Sequence, residues 1–122
     1  MFTNPQPQPA QFEHERLCVY QKSLAMLELV HALGYLPGEY DLRDQLRRAA
    51  ASVVLNIAEG ASRQSRPDKR RFYLIARGSL SEVSAALDIL RIRGKLTPDR
   101  YNELRDTLIE IARMLGGLAR RV

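Results

Sequence analysis

The segment Gln45-Leu-Arg-Arg-Ala-Ala-Ala-Ser-Val-Val-Leu-Asn-Ile-Ala-Glu-Gly60 decides how the rest of the chain is read. Leu46, Ala49, Val53 and Ile57, with Leu42 before them, recur at spacings of three and four, the period that gathers side chains on one stripe of an α-helix. Beside that stripe run Gln45, Arg48, Ser52, Asn56 and Glu59, polar groups where a small bundle usually keeps apolar ones. Buried polar groups are tolerated only when paired, and a paired set can fix helix register or partner choice. The segment predicts a helix over 42–59, capped by Asp41 with Asp44 at N3 and stopped by Gly60.

Working toward the N-terminus, Pro5, Pro7 and Pro9 exclude a helix and predict an extended tail over 1–11. From Phe12 the pattern turns helical and runs to Gly34, a natural C′ residue. Leu17, Tyr20, Leu24 and Leu27 line one face of this first helix, the expected core face. Val19, Met26, Val30 and Leu33 form a second apolar stripe, and a surface helix needs only one. The surplus predicts contact with another subunit, with wrapping by the helix's own neighbours as the alternative.

Toward the C-terminus, Ser65, Pro67 and Asp68 open a helix over 66–93, with Phe72, Ile75, Ala76, Ser79, Val83, Leu87 and Leu90 on its core stripe and Gly94 as terminator. Thr97-Pro98-Asp99 opens another over 98–119, whose Leu104, Leu108, Ile111 and Leu115 share a face, with Gly116-Gly117 weakening its last turns. Nothing alternates with period two. Four amphipathic helices on short links predict an all-α, antiparallel up-down-up-down four-helix bundle in one domain, 12–122. Ala49, Ala50 and Ala51 facing Gly78 and Ser79 predict a close approach of the second and third helices.

A chain of 122 residues suits a single core. It has no apolar run long enough to span a membrane, and its opening residues lack the features of a signal peptide, so a cytoplasmic location is expected. Cys18 is the lone cysteine and reads as a small buried hydrophobe. The net charge of +5 is uneven: residues 43–95 hold twelve basic and five acidic side chains, a local excess of +7. A basic block of this kind suits a polyanion.

Catalytic signatures are missing. Glu59 and Glu82 are followed three residues later by Ser62 and Ala85, not by the histidines of a di-iron bundle, and His14 and His31 have no ligand-spaced partner. Arg77-Gly78-Ser79-Leu80-Ser81 lacks the second glycine of a nucleophile elbow, and no glycine-rich phosphate loop is present. No enzyme activity, metal or cofactor is expected.

Two constellations remain. Arg47, Arg48, Asn56, Glu59, Arg77, Ser79 and Glu82 read as a polar packing or assembly network; the alternative is a small-molecule or enzymatic pocket around Asn56, Glu59, Arg77 and Glu82. Arg63, Arg66, Lys69, Arg70 and Arg71 read as a candidate nucleic-acid contact, with Tyr73 available to stack on a base; solvated charge is the alternative.

The pattern Gln45-Leu-Arg-Arg-Ala-Ala-x-Ser-Val-x-x-Asn-Ile-Ala-Glu-Gly60, then Arg63, Phe72, Ile75-Ala-Arg-Gly-Ser-Leu80 and Glu82, resembles the bacterial four-helix-bundle proteins encoded in intervening sequences of 23S ribosomal RNA genes. The likeness runs from Val19-Tyr-Gln-Lys22 to the end of the third helix, with Tyr20 where that family has tryptophan. The resemblance implies a cytosolic bundle that assembles into a homopentameric ring and has no enzyme activity. A looser similarity to the accessory proteins of diversity-generating retroelements implies a basic pentamer that binds nucleic acid and a reverse transcriptase. The combined expectation is a non-catalytic, self-assembling scaffold that contacts RNA or a nucleoprotein partner.

Overall fold

A computed structural model describes residues 12–122; the proline-rich stretch 1–11 lies outside the described residues. A 3-10 turn, Glu13–Arg16, precedes four helices: α1 Cys18–Ala32, α2 Tyr40–Ser62, α3 Arg66–Ile92 and α4 Pro98–Arg121. Each helix packs on two neighbours in the closed ring α1–α2–α3–α4, and α2 with α3 forms the most extensive interface. Short links make sequential helices antiparallel, so the bundle runs up-down-up-down. One of its ends collects the start of α1, the α2–α3 turn and the end of α4.

Local chemistry accounts for most boundaries. Ser65 Oγ accepts from Asp68 N at 3.2 Å and Thr97 Oγ1 from Arg100 N at 3.3 Å, each followed by proline in the first turn. Gly34 (φ 65°) and Gly94 (φ 71°) end α1 and α3 in the left-handed conformation. Helix α4 continues through Gly116 and Gly117 to Arg121.

Three boundaries differ from expectation. The first helix is broken at Leu17, which is extended (φ −81°, ψ 127°), because Glu15 turns back to accept Phe12 N at 2.7 Å and closes a separate short turn. Helix α2 begins at Tyr40 without a side-chain cap, and Asp41 lies inside its first turn. Glu39, at the cap position, instead binds Arg93 Nη1 at 2.6 Å, tying the α1–α2 link to the end of α3. Gly60 does not stop α2; it is buried within the helix, which ends at Ser62 before the extended Arg63.

The core also reassigns the two stripes of α1. Val19, Met26 and Val30 are 3%, 0% and 2% exposed inside the bundle, and Leu33 packs half-buried against them. Val19, Met26 and Val30 are core residues with no surface left for a subunit contact, because α1 is flanked by both α2 and α4 and this stripe, with Ser23, faces the centre. Leu17, Tyr20, Leu24 and Leu27 are the half-buried flank. Cys18 is exposed at the first turn of α1, contrary to its reading as a buried hydrophobe. Large exposed aliphatics occur elsewhere, at Leu55 on α2 and at Ile75, Ile89 and Ile92 on α3.

Candidate functional site

The polar flank of α2 resolves into a compact seam with α3. Asn56 Nδ2 donates to the Ser52 carbonyl at 2.8 Å and to Ser52 Oγ at 3.1 Å, and Ser52 Oγ shares a 2.7 Å hydrogen bond with Ser79 Oγ. One turn beyond Asn56, a β-carbon added at Gly60 would sit 2.7 Å from the Tyr73 ring. The absence of a side chain there lets the two helices close. Gly60 and Ser79 supply the close approach, whereas Gly78 is exposed with open space around it.

Within the chain the wider network does not form. Glu59 pairs with Arg63 one turn along its own helix at 3.0 Å, while Arg48, Arg77 and Glu82 are exposed and make no side-chain hydrogen bond or ion pair among the described residues. Arg47 is half-buried, with its Nε unpartnered. Five residues separate Arg77 from Glu82, about 140° around a helix, so the two belong to different sides of α3. Asn56 turns to Ser52, Glu59 to Arg63 and Arg77 to α4, and the pocket imagined around Asn56, Glu59, Arg77 and Glu82 does not converge. Ser52, named on the polar flank but not in the predicted network, joins Asn56 to Ser79; the i, i+4 spacing to Asn56 was the available signal.

The basic block divides in two. Lys69 Nζ donates to the carbonyls of Ala61 at 2.9 Å and Gly60 at 3.4 Å, placing a cation on the negative end of α2. Arg63 and Arg71 lie over the Phe72 ring at 4.6 and 4.4 Å, and Arg71 also approaches Asp68 at 3.7 Å. Arg66 and Arg70 are exposed, without an ion pair among the described residues, and border a depression that includes Leu74 and Val122. Tyr73 is 4% exposed, and burial pushes its phenol above the ordinary value. It cannot stack on a base, and Phe72 is already occupied by cations.

His14 packs edge-on against Tyr20 with ring centroids 4.6 Å apart, and His31 is exposed. Among the described residues no group of three or more His, Cys, Asp or Glu side chains is placed to hold a metal, and no helix is long and apolar enough to cross a membrane.

With the clamped seam at Ser52, Asn56 and Gly60 established, the comparison with known families becomes decisive: residues 15–117 match the 23S rRNA-intervening sequence proteins. The chain belongs to that family. A solved relative is a protein of unknown function from the S23 ribosomal protein family of Bacteroides thetaiotaomicron VPI-5482. It is 25% identical, with a TM-score of 0.76 over 84% of this chain and 95% of that one. A comparison with curated proteins finds no match. In this member of the 23S rRNA-intervening sequence family, Ser52, Asn56, Gly60 and Ser79 lie together in the α2–α3 seam.

Proposed function

We propose that this protein is a non-catalytic, cytoplasmic bundle that self-assembles and binds RNA or an RNA-bound partner through the end of the bundle formed at the α2–α3 turn. The observation that carries the binding reading is the division within the basic block. Arg66 and Arg70 are exposed and have no ion pair among the described residues, whereas Lys69, Arg63 and Arg71 have intramolecular partners. Unpaired guanidiniums suit phosphate oxygens, which they can engage bidentately.

The assembly reading rests on the exposed aliphatics of α2 and α3. Leu55 is 64% exposed and Ile75 and Ile89 about two-fifths, whereas α4 presents no large exposed hydrophobic. A ring uses two different patches per subunit, and this face supplies one of them. The pentameric number comes from the family resemblance alone.

Two measurements test the proposal. Arg66→Ala with Arg70→Ala should weaken binding of a labelled RNA about tenfold near physiological salt, by the loss of two phosphate contacts; unchanged affinity removes this end from the reading. Sedimentation velocity at micromolar concentration should show a closed oligomer that Leu55→Glu dissociates. A monomer throughout contradicts the assembly reading.

A further inference from the structure

Outside the α2–α3 seam, α3 and α4 flank an open cavity of about 190 Å³ on the bundle surface. Arg77, Ser81 and Ser84 line it from α3, and Arg105 and Ile109 from α4, over a floor that includes Leu80 and Leu108. No carboxylate and no aromatic ring is among its lining residues. Arg77 and Arg105 are exposed and make no side-chain hydrogen bond or ion pair among the described residues. The volume falls below the roughly 300 to 1,000 Å³ of small-molecule sites. The groove is suited to part of a longer ligand.

It also points toward the basic end. Seven residues are nearly two turns, so Arg70 and Arg77 share a side of α3 to within about 20°, and Arg66 lies about 40° from Arg70. On α4, Gly116 follows the cavity-lining Ala112 by one turn, and the Arg120 guanidinium folds back over it, Nη1 standing 3.4 Å from where a β-carbon would be. From Arg66 to Ser84 this side of α3 spans about 27 Å, with the depression at Arg66 and Arg70 at one end and the cavity at Arg77 toward the other. Asp88, one turn beyond Ser84 on α3, accepts the Tyr101 hydroxyl at 2.6 Å.

We infer that the α3–α4 groove is a phosphate track in which a single nucleic-acid strand lies along α3, its phosphates on Arg66, Arg70, Arg77 and Arg105 and its bases turned outward. This rests on the polyanion-binding reading above and gives that reading a path and a ligand geometry. Guanidiniums match phosphate oxygens bidentately, and the Ser84 hydroxyl adds a donor, whereas Ser81 Oγ already donates to the Arg77 carbonyl at 3.3 Å. A cleft of one sign with apolar walls focuses its field on the ligand. Without an aromatic in the groove, recognition carries no base-stacking component. Helix axes packed about 8 to 10 Å apart leave a furrow for one strand and not for a duplex.

The test is fluorescence anisotropy with labelled oligo(U), oligo(A) and a duplex of equal length, titrated between about 50 and 200 mM salt. Arg77→Ala with Arg105→Ala should weaken oligo(U) about tenfold at physiological salt and lower the salt slope by about 1.4, the share of two phosphates on a single strand. Oligo(A) should bind like oligo(U), and the duplex more weakly. Thermal unfolding should be unchanged, and Arg77→Lys with Arg105→Lys should restore part of the affinity. If the groove pair has no effect while Arg66→Ala with Arg70→Ala weakens binding, the track is overturned and the end-patch reading survives. If neither pair matters, both fall. Tighter duplex binding, a strong base preference, or tighter binding of polyglutamate at equal charge overturns the single-strand phosphate assignment.

Discussion

On its α2 side, α3 brings Ser79 and Tyr73 against a helix so close that Gly60 has no room for a side chain; on its α4 side, it brings Arg77, Ser81 and Ser84 to the edge of an open cavity. The first seam satisfies its polar groups internally, through Ser52, Asn56 and Ser79. The second leaves two guanidiniums without a partner among the described residues. Satisfied polar groups in a tight seam set register, whereas unsatisfied charges beside a furrow are available to a ligand. The difference teaches that polar residues on one helix divide into structural and functional sets according to which neighbour they face.

Substitutions can break this contrast. Gly60→Ala should have the largest effect, destabilising by about 1–3 kcal/mol in urea unfolding, because the added methyl meets the Tyr73 ring and overpacks the seam. Neutral behaviour at Gly60 would mean that the two helices are not clamped there. The buried Tyr73 phenol gives the next effect. Its folded pKa is raised, so its stabilisation is full below the unfolded value near 10 and is lost as pH rises through the folded value. Above pH 10 the wild type should lose up to about 1.4 kcal/mol per pH unit more than Tyr73→Phe, measured as the difference in their unfolding free energies.

Ser79→Ala should cost about 1 kcal/mol, the net value of one hydrogen bond, and its effect should be non-additive with Asn56→Ala because both act through Ser52. Additive losses would dissolve the triad. Gly78→Ala should act in the opposite direction to Gly60→Ala, stabilising by about 0.5–1 kcal/mol, since the position is open and helical. In the α4-side groove, Arg77→Ala with Arg105→Ala should change stability by less than about 0.5 kcal/mol, as expected for exposed side chains with no ion pair among the described residues.

Much of the fold was legible because its punctuation is local. Ser65 with Asp68, Thr97 with Pro98, Gly34 and Gly94 act within a few residues of themselves, and the sequence displays them directly. The two stripes of α1 were separable by period, but period does not say which stripe points inward when both are apolar; the closed ring of helices does. Gly60 resembles a helix stop until Tyr73, thirteen residues later, is seen to fill the space beside it. The basic block was visible as composition, whereas the intramolecular partners of Lys69, Arg63 and Arg71 were not. Arg77 and Arg105 lie on different helices, and no local pattern links them.

The most direct test of the division between a sealed seam and an open groove is arginine modification by phenylglyoxal, read by mass spectrometry with and without saturating oligo(U). Protection should appear at Arg66, Arg70, Arg77 and Arg105, while exposed Arg48 and Arg93, on the other side of the bundle, should react equally in both samples. Equal modification of Arg77 and Arg105 with and without the oligonucleotide would contradict the account.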